Sequence, residues 1–164
     1  MTTPTQGPAQ SSGRQAVHYL EDLEAGQTFV TAARTVTEAD VVGFAGLSGD
    51  FNPIHTDAEF SAGSVYGRRV VYGLLGLSIA TGLLDRLGVF SGSAMAMLGI
   101  TEWTFTAPVF IGDTIHLELA ILGVRPSASK PDRGIVERRF TLLNQRGEVC
   151  QRGRIDVLVR RRPA

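Results

Sequence analysis

The sequence predicts an α+β fold in which an antiparallel β-sheet wraps around one long helix. Three observations support this. The run Gly73 to Leu87 has a helical period and is apolar on every side, as a buried helix would be. From Ser93 onward the pattern changes to strand-like segments separated by turn residues. With 164 residues, 43% hydrophobic and 20% charged, the chain has the size and composition of one globular domain, which excludes general disorder and coiled coil.

Residues 1–16 are rich in Thr, Pro, Gln, Gly and Ser and lack the basic-then-apolar order of a signal peptide; they read as a floppy tail before a single domain over 17–162. Leu23 to Gly26 reads as a turn, and Thr28 to Val36, rich in Thr, Val and Phe, as a strand. Thr37 followed by Asp40 resembles a capping box and starts a short helix with Val41, Val42, Phe44 and Ala45 on its apolar side, ending near Gly46. Gly49, Asp50, Asn52 and Pro53 make Ser48 to His55 a loop, and Asp57 is placed to cap a helical turn through Phe60. In the long helix Leu74, Leu77, Ala80, Leu84 and Leu87 recur at helical spacing, while Leu75, Ile79 and Leu83 make the opposite side apolar as well. Four strands follow, read as a meander broken at Ala107-Pro108, Gly112-Asp113, Pro126 to Gly134 and Asn144 to Gly147. The clearest is Thr114 to Val124, where Ile115, Leu117, Leu119 and Ile121 alternate with more polar neighbours.

Sixteen Lys plus Arg balance sixteen Asp plus Glu, so no long-range field draws in nucleic acid or an anionic membrane. The fifteen uncharged residues between Arg69 and Asp85 are fewer than the ~20 a membrane span needs, and three glycines interrupt them. Cys150 is the only cysteine, which excludes an intrachain disulfide and paired-cysteine zinc sites and makes a reducing, cytoplasmic setting the expectation. The single charge run, Arg160 to Arg162, is a solvated tail or a contact for a ligand phosphate.

The segment with chemical potential is Phe44 to Asp57, F-A-G-L-S-G-D-F-N-P-I-H-T-D. Asp50 and His55 stand five residues apart across a Pro-containing turn that can fold back on one cavity. A carboxylate and an imidazole converging on one water suit proton transfer near neutral pH. The same composition also serves a plain turn, with Asp50 and Asn52 in Asx hydrogen bonds, Pro53 fixing the bend and His55 a satisfied, partly buried side chain. A calcium loop fits poorly, since Ile54, His55 and Ser61 occupy its acidic, Gly and Glu positions. A metal on Asp50, His55 and Asp57 lacks a second His at ligand spacing, so no metal site is expected.

The run from Phe44 to Asp57 resembles the hydratase-2 signature of the MaoC-like dehydratase family, the (R)-specific enoyl-CoA hydratases, whose G-D-x-N-P-x-H core it matches in full. The stretch Tyr66 to Leu74, Y-G-R-R-V-V-Y-G-L, is similar to the family's second conserved segment, with Gly73 at the expected distance after Asp50. The resemblance extends in element order over about 17–162 and implies the hot-dog fold, a five-stranded sheet around a central helix. It further implies that Asp50 and His55 activate the water that adds to a 2-enoyl thioester, and that Gly73 offers its backbone N–H to the thioester oxygen. Position supports the last role independently, because a helix start presents unpaired N–H groups and a positive dipole end. Where many relatives have His before that glycine, this chain has Tyr72, a change that bears on the acyl pocket.

Asn52 has no useful pKa and is expected to shape the loop or touch substrate. Arg68 and Arg69 could reach a CoA or phosphopantetheine phosphate, or be ordinary surface. Ser78 and Thr81 read as packing residues, Trp103 and Phe105 as core or interface, and Cys150 as a structural thiol. The function these readings imply is reversible hydration of a 2-enoyl thioester to an (R)-3-hydroxyacyl thioester, CoA ahead of acyl carrier protein, with no cofactor beyond the carrier. The alternatives are a hot-dog acyl thioesterase, against which Tyr72 to Leu84 offers no carboxylate, and a non-catalytic hot-dog subunit. A homodimer or higher homo-oligomer is expected, since hot-dog proteins usually pair two such units.

Overall fold

The computed structural model describes residues 17–163; the expected tail over 1–16 lies outside the described residues. After a 3₁₀ turn at Leu20–Asp22 come β1 (Thr28–Val30), β2 (Arg34–Thr35), α1 (Glu38–Ser48), α2 (Pro53–Thr56), α3 (Ala58–Ala62), α4 (Gly73–Leu87), β3 (Ala94–Phe105), β4 (Thr114–Pro126), β5 (Arg133–Leu143) and β6 (Val149–Arg160). The strand expected over Thr28 to Val36 is interrupted. Thr31 still donates its N–H to the Leu117 carbonyl, but its hydroxyl accepts the Leu117 N–H in place of a backbone carbonyl, and regular pairing with β4 resumes only at Arg34.

The sheet is antiparallel in the order β1-β4-β5-β6-β3, with β2 also on β4. The expected meander therefore holds for β4, β5 and β6 alone. The strand that follows α4 crosses to pair with β6 and becomes the far edge of the sheet, because β1 already occupies the near side of β4. On β4 the alternation works as read, with Ile115, Leu117, Leu119 and Ile121 all buried, each contributing roughly 1.5–3 kcal/mol of burial.

Two of the short helices begin as their sequences dictate. The Asp40 carboxylate accepts the Thr37 N–H at the start of α1, and the Asp57 carboxylate accepts the Phe60 N–H at the start of α3. Helix α4 packs Leu75, Ile79, Ala80, Leu83 and Leu84 into the core. It is not buried all round: Leu74 is 62% exposed and Ser78 and Gly82 are exposed too, because the sheet and its neighbours cover the other sides and leave this stripe open. Ser78 and Thr81 direct their hydroxyls to the Leu74 and Ser78 carbonyls; Thr81 is partly buried, whereas Ser78, expected as a packing residue, lies on the open stripe. Among the described residues no helix is long and apolar enough to cross a membrane.

Candidate active site

The start of α4 is built by two glycines that admit side chains from the sheet. A Cβ on Gly73 would lie 2.6 Å from the Phe105 ring, and one on Gly76 would collide with the Gln151 amide. Gln151, buried on β6, donates from Nε2 to the Gly73 carbonyl at 3.1 Å, which orients its amide and leaves Oε1 buried without a partner among the described residues. The N–H of Gly73 makes no hydrogen bond among the described residues, as expected at a first helical position.

Against this helix tip lies a cavity of about 600 Å³, lined among others by His55, Tyr66, Gly73, Leu74, Phe105 and Gln151. His55 reaches it on α2, which Asn52 caps by accepting the Ile54 N–H at 3.2 Å and Pro53 starts at a position where its missing N–H is harmless. The hydroxyl of buried Ser61 then ties the Pro53 and Ile54 carbonyls to α3. The His55 Nδ1 is 2.7 Å from the Val70 carbonyl oxygen. A carbonyl only accepts, so that nitrogen is the protonated one and Nε2 is left free to act as a base.

Asp50 follows Gly49, which closes α1 in the left-handed conformation at φ 74°. Its carboxylate accepts the Asn52 N–H at 3.1 Å in an Asx turn and is exposed. Among the described residues no hydrogen bond joins it to His55, and it is not part of the cavity lining. Both residues instead flank Tyr72, whose hydroxyl donates to the Asp50 carbonyl at 2.5 Å and whose ring packs on the His55 ring with centroids 3.8 Å apart. Burial, with the Asp50 charge adding to it, holds the Tyr72 phenol above its ordinary pKa, so it stays neutral.

The other candidate residues divide. Arg69 forms a two-pronged ion pair with Glu38 at 2.8 and 2.6 Å, which holds the Glu38 carboxyl low, and Arg68 stacks 3.8 Å over the Phe110 ring. Neither lines the cavity. Of the C-terminal arginines, Arg161 and Arg162 pair with Glu21 and Asp22, so that part of the run is docked rather than a free tail. Burial pushes the Cys150 thiol up to about 11, consistent with a structural role. Phe105, read as core or interface, lines the cavity at 57% exposure; Tyr66, at the head of the Tyr66 to Leu74 segment but given no role there, joins it, as does Gln151, which no spacing or motif would have singled out. The carboxylate-free run of α4 continues to Asp85, which borders a separate cavity of about 300 Å³ at the other end of the helix.

Replacing Gly73 with Ala is expected to lower turnover of any ligand bound at this helix tip by about 100-fold, since a displacement near 1 Å suffices for that. The new methyl displaces the Phe105 ring and occupies the approach to the N–H. Combining it with Phe105→Ala restores the thermal midpoint but not the rate; recovered turnover in the pair would show that only the ring mattered.

A family model described as MaoC like domain matches residues 22–140. The (R)-specific enoyl-CoA hydratase of Aeromonas caviae is 35% identical over 121 residues, covering 74% of this chain and 86% of that protein. Protein MaoC of Klebsiella aerogenes is 42% identical over 101 residues; the match spans 62% of this chain but only 30% of MaoC. The crystal structure of a MaoC-like dehydratase from Rhodospirillum rubrum superposes with a TM-score of 0.78 at 37% identity, over 90% of this chain and 99% of that one. A Mycobacterium tuberculosis protein with a double hotdog fold superposes at TM-score 0.79 over 90% of this chain and 45% of its own, at 18% identity, a likeness of fold alone.

Proposed function

Because the chain belongs to the MaoC-like domain family and has the hotdog fold, we propose that it catalyses the reversible hydration of a 2-enoyl thioester to an (R)-3-hydroxyacyl thioester. The observation behind this reading is that an imidazole with its Nδ1 proton fixed on Val70 and a helix tip with an unpaired Gly73 N–H border the same cavity. In the proposed reaction the thioester oxygen accepts the Gly73 N–H, so the charge that builds there on forming the enolate meets the positive end of α4. Water held between the Asp50 carboxylate and His55 Nε2 adds to the β-carbon, and the proton it sheds is handed to the α-carbon; dehydration runs the same path backwards.

CoA or phosphopantetheine enters only as part of the substrate. Asn52 serves by shaping the loop, and Arg68, exposed and two residues from the lining residues Tyr66 and Val70, is offered to a carrier phosphate. A thioesterase has less support, because the only carboxylate on α4, Asp85, stands at the end away from this cavity. The proposal includes a homodimer: β3 is a free sheet edge with Met97, Leu98, Ile100 and Phe105 exposed, and Phe105 joins that edge to the cavity.

The test is a screen of the purified protein against short and medium enoyl-CoA thioesters, following loss of enoyl absorbance, with chiral analysis of the product and sedimentation at the assay concentration. Hydration to the (R)-alcohol by a dimer is expected. Release of free thiol without hydration would replace the reading with hydrolysis, and full turnover by a monomer would remove the dimer from it.

A further inference from the structure

Tyr72 stands where a helix calls for Ser, Thr, Asp or Asn, at the N-cap of α4, yet its side chain makes no capping hydrogen bond. A local rule broken without local gain calls for a reason elsewhere. Tyr72 is 4% exposed, is absent from the cavity lining, and touches both members of the Asp50–His55 pair, with Phe44 packed on it at 5.1 Å between ring centroids.

The segment 49–52 has few other anchors. Its backbone and side-chain hydrogen bonds run to Ala45, Ser48, Ile54, His55 and Thr56 or stay within the segment, and Phe51 is 64% exposed. Among the described residues the Tyr72 hydroxyl makes the one hydrogen bond that reaches this segment from beyond α3. Asp50 is therefore held against the start of α4 through a single phenol whose ring also backs the His55 imidazole.

We infer that Tyr72 is a positioning residue, fixing the Asp50 loop and the His55 ring in one geometry relative to the Gly73 tip. The inference rests on the hydration reading for its kinetic consequence, while the clamp itself is a property of the fold. Removing the hydroxyl frees the loop and leaves the ring stack and packing in place, since Phe is nearly isosteric.

Tyr72→Phe is expected to lower kcat for enoyl-CoA hydration about 10- to 100-fold with KM changed less than about twofold. Because Tyr72 acts through Asp50, the Asp50→Asn/Tyr72→Phe pair loses no more than Asp50→Asn alone; a multiplicative loss would overturn the inference. Independently of activity, amide exchange over 49–56 rises in Tyr72→Phe while that of β4 to β6 is unchanged. Unchanged exchange in that loop overturns the clamp. If the parent chain shows no hydration at all, the hydration reading falls, and the exchange result decides the clamp by itself.

Discussion

Exchange of His55 for Ala is expected to lower the proposed enoyl-thioester hydration by about 10²–10⁴, the range that a positioned acid-base group provides. The side chain is half-buried, and its loss removes one hydrogen bond to the Val70 carbonyl and one face of the stack on Tyr72. Losing a hydrogen bond of this kind costs about 1 kcal/mol, too little to unfold a domain of ordinary stability. The thermal midpoint is therefore expected to fall by a few degrees at most while the rate collapses. Measurement of kcat and of the melting curve on the same preparation separates the two; a rate within tenfold of the parent would leave His55 a mere packing residue and the helix tip without its base.

Asp50→Asn is expected to have a comparable effect on rate and almost none on the loop. The amide oxygen of Asn can accept the Asn52 N–H as the carboxylate does, and the Tyr72 hydroxyl binds the main-chain carbonyl, which the exchange leaves in place. Only the negative charge disappears. Hydration falls by about two orders of magnitude or more at unchanged KM, and the Tyr72 phenol titrates lower than in the parent because the Asp50 charge that helps to raise its pKa is gone. Spectroscopic titration of the tyrosines checks that second effect without substrate. Normal turnover in this variant would assign water activation to His55 alone.

The elements with strong local codes could be read directly. The helical period of Gly73 to Leu87, the Thr37–Asp40 helix start, the Asp57 cap and the alternation on β4 each depend on neighbours within a few residues, and each appears as its residues dictate. What stayed hidden depends on pairing across long separations. Nothing near Ala94 says that its strand will seek β6 instead of β4, and the open stripe at Leu74, Ser78 and Gly82 is a matter of what covers the helix, not of its own composition. The same holds at the site. Gly49 to His55 and Gly73 stand out through type and spacing, whereas Phe105 and Gln151 arrive from strands β3 and β6 and are ordinary residues in sequence. Tyr72 was legible only as a departure from the His that many relatives have before the glycine; its contacts with Asp50 and His55 required the fold.

The two margins of the sheet are unequal. One is β1 with β2, three and two residues long; the other is β3, twelve residues long and broken in register at three places, with Glu102 at φ 54° in the irregular stretch. If two copies join along their long margins, each outer border of the combined sheet is a stub offering too few donors and acceptors to recruit a third. Growth by strand addition thus terminates at a pair, and the fold carries its own stop against fibre formation.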